Sequence, residues 1–390
     1  MFFNVAQQPQ SNFSHFYNLG PFCVSTDAGW NTIDLGQYQV VYKGYVDTDS
    51  IESCLEQIIR DTEPKLLGNF CVLVYNSETH SLKIKSDRYR SYPIWSDSDG
   101  VTNLTKKINT AWTDSLIEIK SDGSVIESKF DLIGDIDTTP VDLDHAVEYI
   151  DQLLITKTQN FLKHNTLPVK AFLSGGVDSL LVYSYLQRFT DNFELVQGQH
   201  FEYDQFWLRN SGTISSNFWG YNQLHHWHES CVLTSGAPGD EFMLRSPTTT
   251  DLFLKFHGYS IVELLESNWQ DCLHYQYFHQ PKNYKIFQTQ TVDPAWDRKS
   301  LLWNLCNIVS NDWQHWHLGN TLTWTPLRDL EIFKILIRLT VSNALGQIMH
   351  SKISKRLIEK NKPGLSRLIS DQKNSGNMLS NLCDLLIKRD

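Results

Sequence analysis

No two cysteines in this 390-residue sequence stand at Cys-x-x-Cys spacing, and no stretch stays apolar for the eighteen residues a membrane helix needs. The seven cysteines, at 23, 54, 71, 231, 272, 306 and 383, are odd in number and scattered, which excludes a disulfide framework and a zinc ribbon and leaves reduced thiols. A basic excess is missing too: 34 Lys and Arg face 44 Asp and Glu, a net charge of -10. Nucleic acid and anionic lipid surfaces are therefore not expected partners. The start, MFFNVAQQPQSNF, has neither the basic residues nor the long apolar core of a signal peptide, so the expectation is a soluble, cytoplasmic chain. Repeats and low-complexity segments are absent. What is present is ordinary for a globular protein of two or three domains: 41% hydrophobic and 20% charged residues. The many aromatics are expected to serve packing.

Two kinds of pattern divide the chain. Up to about residue 103 the signal is strand-like, with QVVYKGYV (39–46), GNFCVLVYN (68–76) and HSLKIKSDRY (80–89) rich in β-branched and aromatic residues. Helical spacing interrupts it once, at 48–61. Further short strands, broken by SDGS at 121–124, either close this α+β domain, taken as 1–136, or bridge to the next. DTTPVDLDH at 137–145 marks the boundary: Pro140 stops a strand, and Asp142 or Asp144 can cap the amphipathic helix that follows. From 142 to 390 the order helix, strand (VKAFL), turn (SGGVDS), helix, strand (FELVQGQ), strand (SCVLTSG) predicts a parallel α/β sheet, with helical patterns returning after Leu301 and from Leu330.

SGGVDS, between an apolar strand and a helix, carries the first chemical signal. Backbone N–H groups of a glycine turn converge there, and the helix dipole favours an anion. No Lys follows the glycines, so a Walker-type grip on β- and γ-phosphates is disfavoured, and G-x-G-x-x-G is absent. Ser174 and Ser179 can donate to phosphate oxygens, Gly175 and Gly176 let the backbone approach, and Asp178 can hold Mg²⁺.

S-G-G-x-D-S after an apolar strand resembles the pyrophosphate loop (PP-loop) of the ATP pyrophosphatase superfamily, the adenine nucleotide alpha hydrolase-like fold. CVLTSGAPGDEFML (231–244) resembles the S-G-x-G-x-D-E element of asparagine synthetases. The resemblance implies ATP and Mg²⁺ as cofactors, with Asp178 and Asp240 as the two metal-holding carboxylates. Leu173, Val196, Ser235 and Gly236 would complete the nucleotide site, and Glu241 would stand behind it. TWTPLRDLEIFKILIRL (323–339) resembles the family's Pro-x-x-Asp helix opening. IEKNKPGLSRLIS (358–370) resembles the segment supplying an active-site lysine, which makes Lys362 the candidate and Lys360 its competitor.

The stretch from 68 to 95 resembles the class II glutamine amidotransferase domain of the same synthetases, an Ntn-hydrolase-like fold. That family attacks glutamine with an N-terminal cysteine; the second residue here is Phe2, and Cys23 is too far along to replace it. The expectation is a degenerate domain without glutaminase activity, as in β-lactam synthetase and lasso-peptide cyclase. Ala237 and Pro238 depart from the synthetase pattern, where an acidic residue often handles the amine, so asparagine is a doubtful product and a base is lacking. Glu263 is a minor candidate for that base. The His225, His226, His228 and His315, His317 groups lack a third ligand at metal spacing and read as polar surface.

The expected activity is an ATP-dependent, AMP- and diphosphate-forming amide ligase. Its substrates would be a small-molecule or peptide carboxylate and an amine or ammonia; a homodimer is an open option. Two alternatives stay open: another PP-loop chemistry such as that of 7-cyano-7-deazaguanine synthase, whose C-terminal zinc cysteines are missing, and a decayed nucleotide-binding protein.

Overall fold

The structure, a computed structural model, describes residues 3–6, 13, 15–26, 29–47, 49–60, 66–88, 94–97, 100–102, 114–130, 137, 139–173, 176–197, 231–236, 239, 243, 321–341 and 351–365. Among them the fold is mixed α/β, built on three sheets and five helices.

The first region is antiparallel throughout. One sheet has the order β2-β3-β1-β9-β8, from β1 (Phe3–Ala6), β2 (His15–Leu19), β3 (Phe22–Thr26), β8 (Trp95–Asp97) and β9 (Gly100–Thr102). The other has the order β11-β10-β7-β6-β5-β4, from β4 (Asn31–Leu35), β5 (Tyr38–Val46), β6 (Gly68–Asn76), β7 (Ser81–Ser86), β10 (Asp114–Ile119) and β11 (Val125–Phe130).

β6 explains the layering. Its seven central residues are all buried, because alternate side chains serve two cores. Phe70, Val72 and Val74 join Leu55 and Ile58 of helix α1 (Ile51–Arg60), whereas Cys71, Leu73 and Tyr75 join Val5, Val24 and Val101 of the other sheet. Leu55 and Ile58 are nearly inaccessible, and each such side chain stabilises the layer by about 1.5–3 kcal/mol. A strand covered on both faces reads as a continuous apolar run, which is how β6 reads.

The second region begins with α2 (Leu143–His164), and of the two aspartates able to cap it Asp142 does so, accepting from the His145 N–H at 2.7 Å. Its sheet is wholly parallel, in the order β13-β12-β14-β15, from β12 (Val169–Leu173), β13 (Glu194–Gln197), β14 (Cys231–Thr234) and β15 (Thr321–Trp324). Helix α3 (Val177–Phe189) connects β12 to β13, while α4 (Leu330–Val341) and α5 (Lys352–Asn361) follow β15. No helix among the described residues is long and apolar enough to cross a membrane.

The two regions meet at β15. Trp324 stacks on Phe161 of α2 at 4.4 Å between ring centroids, and Tyr45 of β5 tilts against the same Phe161 ring at 5.7 Å. Lys157 of α2 bonds Asp329 at 2.7 Å and lies 3.9 Å from Asp47, which follows β5. Asp329 also caps α4, accepting from the N–H groups of Glu331 and Ile332.

Candidate active site

A parallel sheet whose first strand lies inside the strand order offers a crevice where successive connections diverge. That crevice lies at the C-terminal ends of β12 and β14, since β13 adds on one side of β12 and β14 on the other. Both glycine segments leave the sheet at this point: 174–176 directly after Leu173, and 235–239 directly after Thr234.

α3 opens with Gly176 as its N-cap, in extended backbone (φ −79°, ψ 159°) and without a side-chain cap. Asp178 sits in the first helical turn, where the positive end of the dipole favours a carboxylate or a phosphate. Ser179, 4% exposed, turns its hydroxyl inward and donates to the Gly176 carbonyl at 2.9 Å. The expected phosphate donor is thus engaged with its own helix turn, and a phosphate has to compete with that carbonyl for the proton.

The second segment is pressed onto the first. A Cβ on Gly236 would fall 2.2 Å from the Asp178 carbonyl carbon and the Ser179 nitrogen, and one on Gly239 would fall 2.4 Å from Asp178 Cγ. At Gly236 the obstacle is backbone, so only glycine fits; at Gly239 it is the Asp178 side chain, which a Cβ would push aside. The Gly239 N–H bonds the Gly236 carbonyl at 2.7 Å and the Met243 N–H bonds the Gly239 carbonyl at 2.8 Å. The Ser235 N–H bonds the Trp324 carbonyl at 3.1 Å and extends the β14–β15 ladder to the segment's first residue.

Ser174, Gly175, Ala237, Pro238, Asp240, Glu241, Glu263 and the His225, His226, His228 and His315, His317 groups lie outside the described residues, as does Phe2. Among the described residues no cluster of three or more His, Cys, Asp or Glu could hold a metal. The cradle still suits a divalent cation on phosphate: the Asp178 carboxylate borders a glycine backbone that leads directly into Asp240.

Leu173 and Val196 do not converge as side chains. Leu173 pairs in register with Gln197, and Val196 with Phe172, so the two point to opposite faces of the sheet. An adenine beside them can touch one side chain and only the backbone of the other residue.

Both candidate lysines are held elsewhere. Lys362, the C-cap of α5, donates to Gln187 of α3 and rests 5.4 Å above the Tyr183 ring. Gln187 lies nine residues beyond Asp178, about two and a half turns and 13 Å along the axis, which places it on the opposite side of α3. Lys360 bonds Asp151 and Glu148 of α2 at 2.6 Å each, and these partners raise its pKa while Lys360 lowers that of Glu148. Asp151, 1% exposed, also accepts from Tyr185 at 2.6 Å.

The chain matches no family model and no curated protein.

Sequence reasoning missed the seam between the two regions. Thr323 of β15 turns its carbonyl away from β14, and that oxygen accepts from the Tyr45 hydroxyl and from Asn69 Nδ2, both at 2.8 Å; Asn69 Nδ2 also reaches Thr323 Oγ1 at 3.0 Å. A cavity of about 20 Å³, enough for one water, is lined there by Asn69, Lys157, Trp324 and Arg328 among others. Two side-chain atoms of its lining, Asn69 Oδ1 and Trp324 Nε1, are buried without a protein partner. Burial raises the pKa of Asp47, opposed by Lys157 and aided by Asp329. Lys157 has its own pKa raised, because the attraction of Asp329 and Asp47 outweighs the burial that acts against its charge.

Proposed function

We propose that the chain is an ATP-dependent amide ligase of the asparagine synthetase type, forming AMP and diphosphate at the C-terminal ends of β12 and β14. The meeting of the two glycine segments carries the reading. Asp178 packs against Gly236 and Gly239, which are distant in sequence, so closely that a methyl group on Gly236 would not fit, and it does so at the strand switch point where α/β sheets bind nucleotides.

In the proposed reaction a substrate carboxylate oxygen attacks the α-phosphorus of ATP. The bond from that phosphorus to the bridging oxygen breaks, and pyrophosphate leaves with the electron pair. An amine nitrogen then attacks the acyl carbon, AMP departs, and the amine gives up a proton. The N-terminal turn of α3 presents N–H groups and dipole to the departing pyrophosphate, and the glycine backbones allow it close approach. Ser179 can exchange its bond to the Gly176 carbonyl for one to a phosphate oxygen. Asp178 and Asp240 would hold Mg²⁺, which when bound offsets the phosphate charge. No step is assigned to Lys362 or Lys360, whose ammonium groups are bonded on the other side of α3 and on α2. The attacking nitrogen is proposed to arrive as an amine or ammonia.

The reading is tested by measuring pyrophosphate and AMP release from Mg·ATP against a panel of carboxylates and amines. Release that requires a carboxylate is expected. Absence of release with every pair, or formation of ADP and phosphate, contradicts it.

A further inference from the structure

β15 is the outer strand of the parallel sheet among the described residues, and its two edges have different owners. Trp324 faces inward, and its carbonyl takes the Ser235 N–H at 3.1 Å. Thr323, one residue earlier, faces outward, and the first domain caps its carbonyl with Tyr45 and Asn69. Thr323 is 5% exposed and Asn69 3%, so losing these donors leaves a buried carbonyl short of partners, with little water to replace them.

The path to the glycine cradle is short and continuous. Tyr45 and Asn69 hold the Thr323 peptide, the next residue holds Ser235, and Ser235 leads directly into Gly236, which is packed on Asp178 and Ser179. Because Gly236 has no slack against α3, a shift of a few tenths of an ångström in β15 reaches the Asp178 turn. We infer that Tyr45 and Asn69 are positioning residues for the nucleotide site, through which the first domain sets the distance between the two glycine segments. The inference rests on the nucleotide-binding part of the proposed function.

The experiment uses the full chain and Mg·ATP as the probe, at a temperature well below every variant's unfolding midpoint. Tyr45→Phe and Asn69→Ala are compared singly and together, with hydrogen exchange at the Ser235 amide read in parallel and Asp178→Asn as the reference for a damaged site. Expected are weaker Mg·ATP binding in the double variant, by about tenfold, a smaller loss in each single variant, and faster Ser235 exchange. Tyr45→Phe, which removes one oxygen and keeps the ring on Phe161, separates the bond to Thr323 from general packing. If the folded double variant binds Mg·ATP as the wild type does while Asp178→Asn does not, the inference is wrong and the nucleotide site stands. If the wild type does not bind Mg·ATP, or Asp178→Asn binds it equally well, the functional reading fails and the inference falls with it.

Discussion

The six-stranded antiparallel sheet and the parallel sheet are both well buried, yet they end differently. β6 is closed by side chains on both faces, Phe70 toward α1 and Leu73 toward the other sheet, and its order follows from apolar burial. β12 and β14 end in glycine backbone, where Gly236 and Gly239 lie on Asp178 with no side chain between. The contrast separates two kinds of constraint: one region is specified by what its side chains fill, the other by what its side chains must leave open. The seam at Thr323, where Asn69 and Tyr45 meet β15, joins them.

The largest expected effect falls on that seam. Lys157→Met removes the cation shared by Asp329 and Asp47 and leaves two buried carboxylates without it. A loss of about 3–5 kcal/mol in unfolding free energy is predicted from denaturant titration. A loss below about 1 kcal/mol, the range of exposed pairs, would show that the two regions do not depend on it. Next comes Gly236→Ala, which forces a methyl group against the Asp178–Ser179 peptide. A cost of about 1–3 kcal/mol is expected, together with weaker Mg·ATP binding; a neutral outcome in both would mean that the close approach is not required.

The smallest effect is a pH dependence. Burial raises the folded-state pKa of Asp47, so the folded chain holds that proton more tightly than the unfolded one. The stability this contributes is complete below the ordinary carboxylate value of 3.8 and is lost as pH rises through the raised value. Asp47→Asn should therefore flatten the fall in stability between acid and neutral pH, while Lys157 keeps Asp329 as its nearer partner. Unfolding curves collected across that range give the slope, and an unchanged slope would assign it to other groups.

What the sequence disclosed follows the same division. β6 was readable because an apolar run of six residues, Phe70–Tyr75, between turns suits a strand buried on both faces and is too short for most helices, and the cap of α2 was narrowed to Asp142 or Asp144 because a cap works on its own next turn. The turn after β12 was readable for the same reason, since strand, glycines and helix start adjoin in sequence. The Asp47, Lys157 and Asp329 cluster was not, because its members come from three distant segments and none is marked by periodicity. Where Lys362 comes to rest was not legible, because a resemblance fixes a position along the chain, whereas the docking of α5 on α3 sets its contacts with Gln187 and Tyr183. Leu173 ends β12 and Val196 stands one residue before the end of β13, but only the register of the two strands reveals that their side chains part.

The central claim is that the two glycine segments together grip a departing pyrophosphate. Titration of the full chain with pyrophosphate in the presence of Mg²⁺, followed by calorimetry for the wild type and Asp178→Asn, tests it most directly. Saturable binding by the wild type is predicted, weakened at least about tenfold in the variant with an unchanged unfolding midpoint. Equal affinity in the two proteins, or no binding in either, would contradict it.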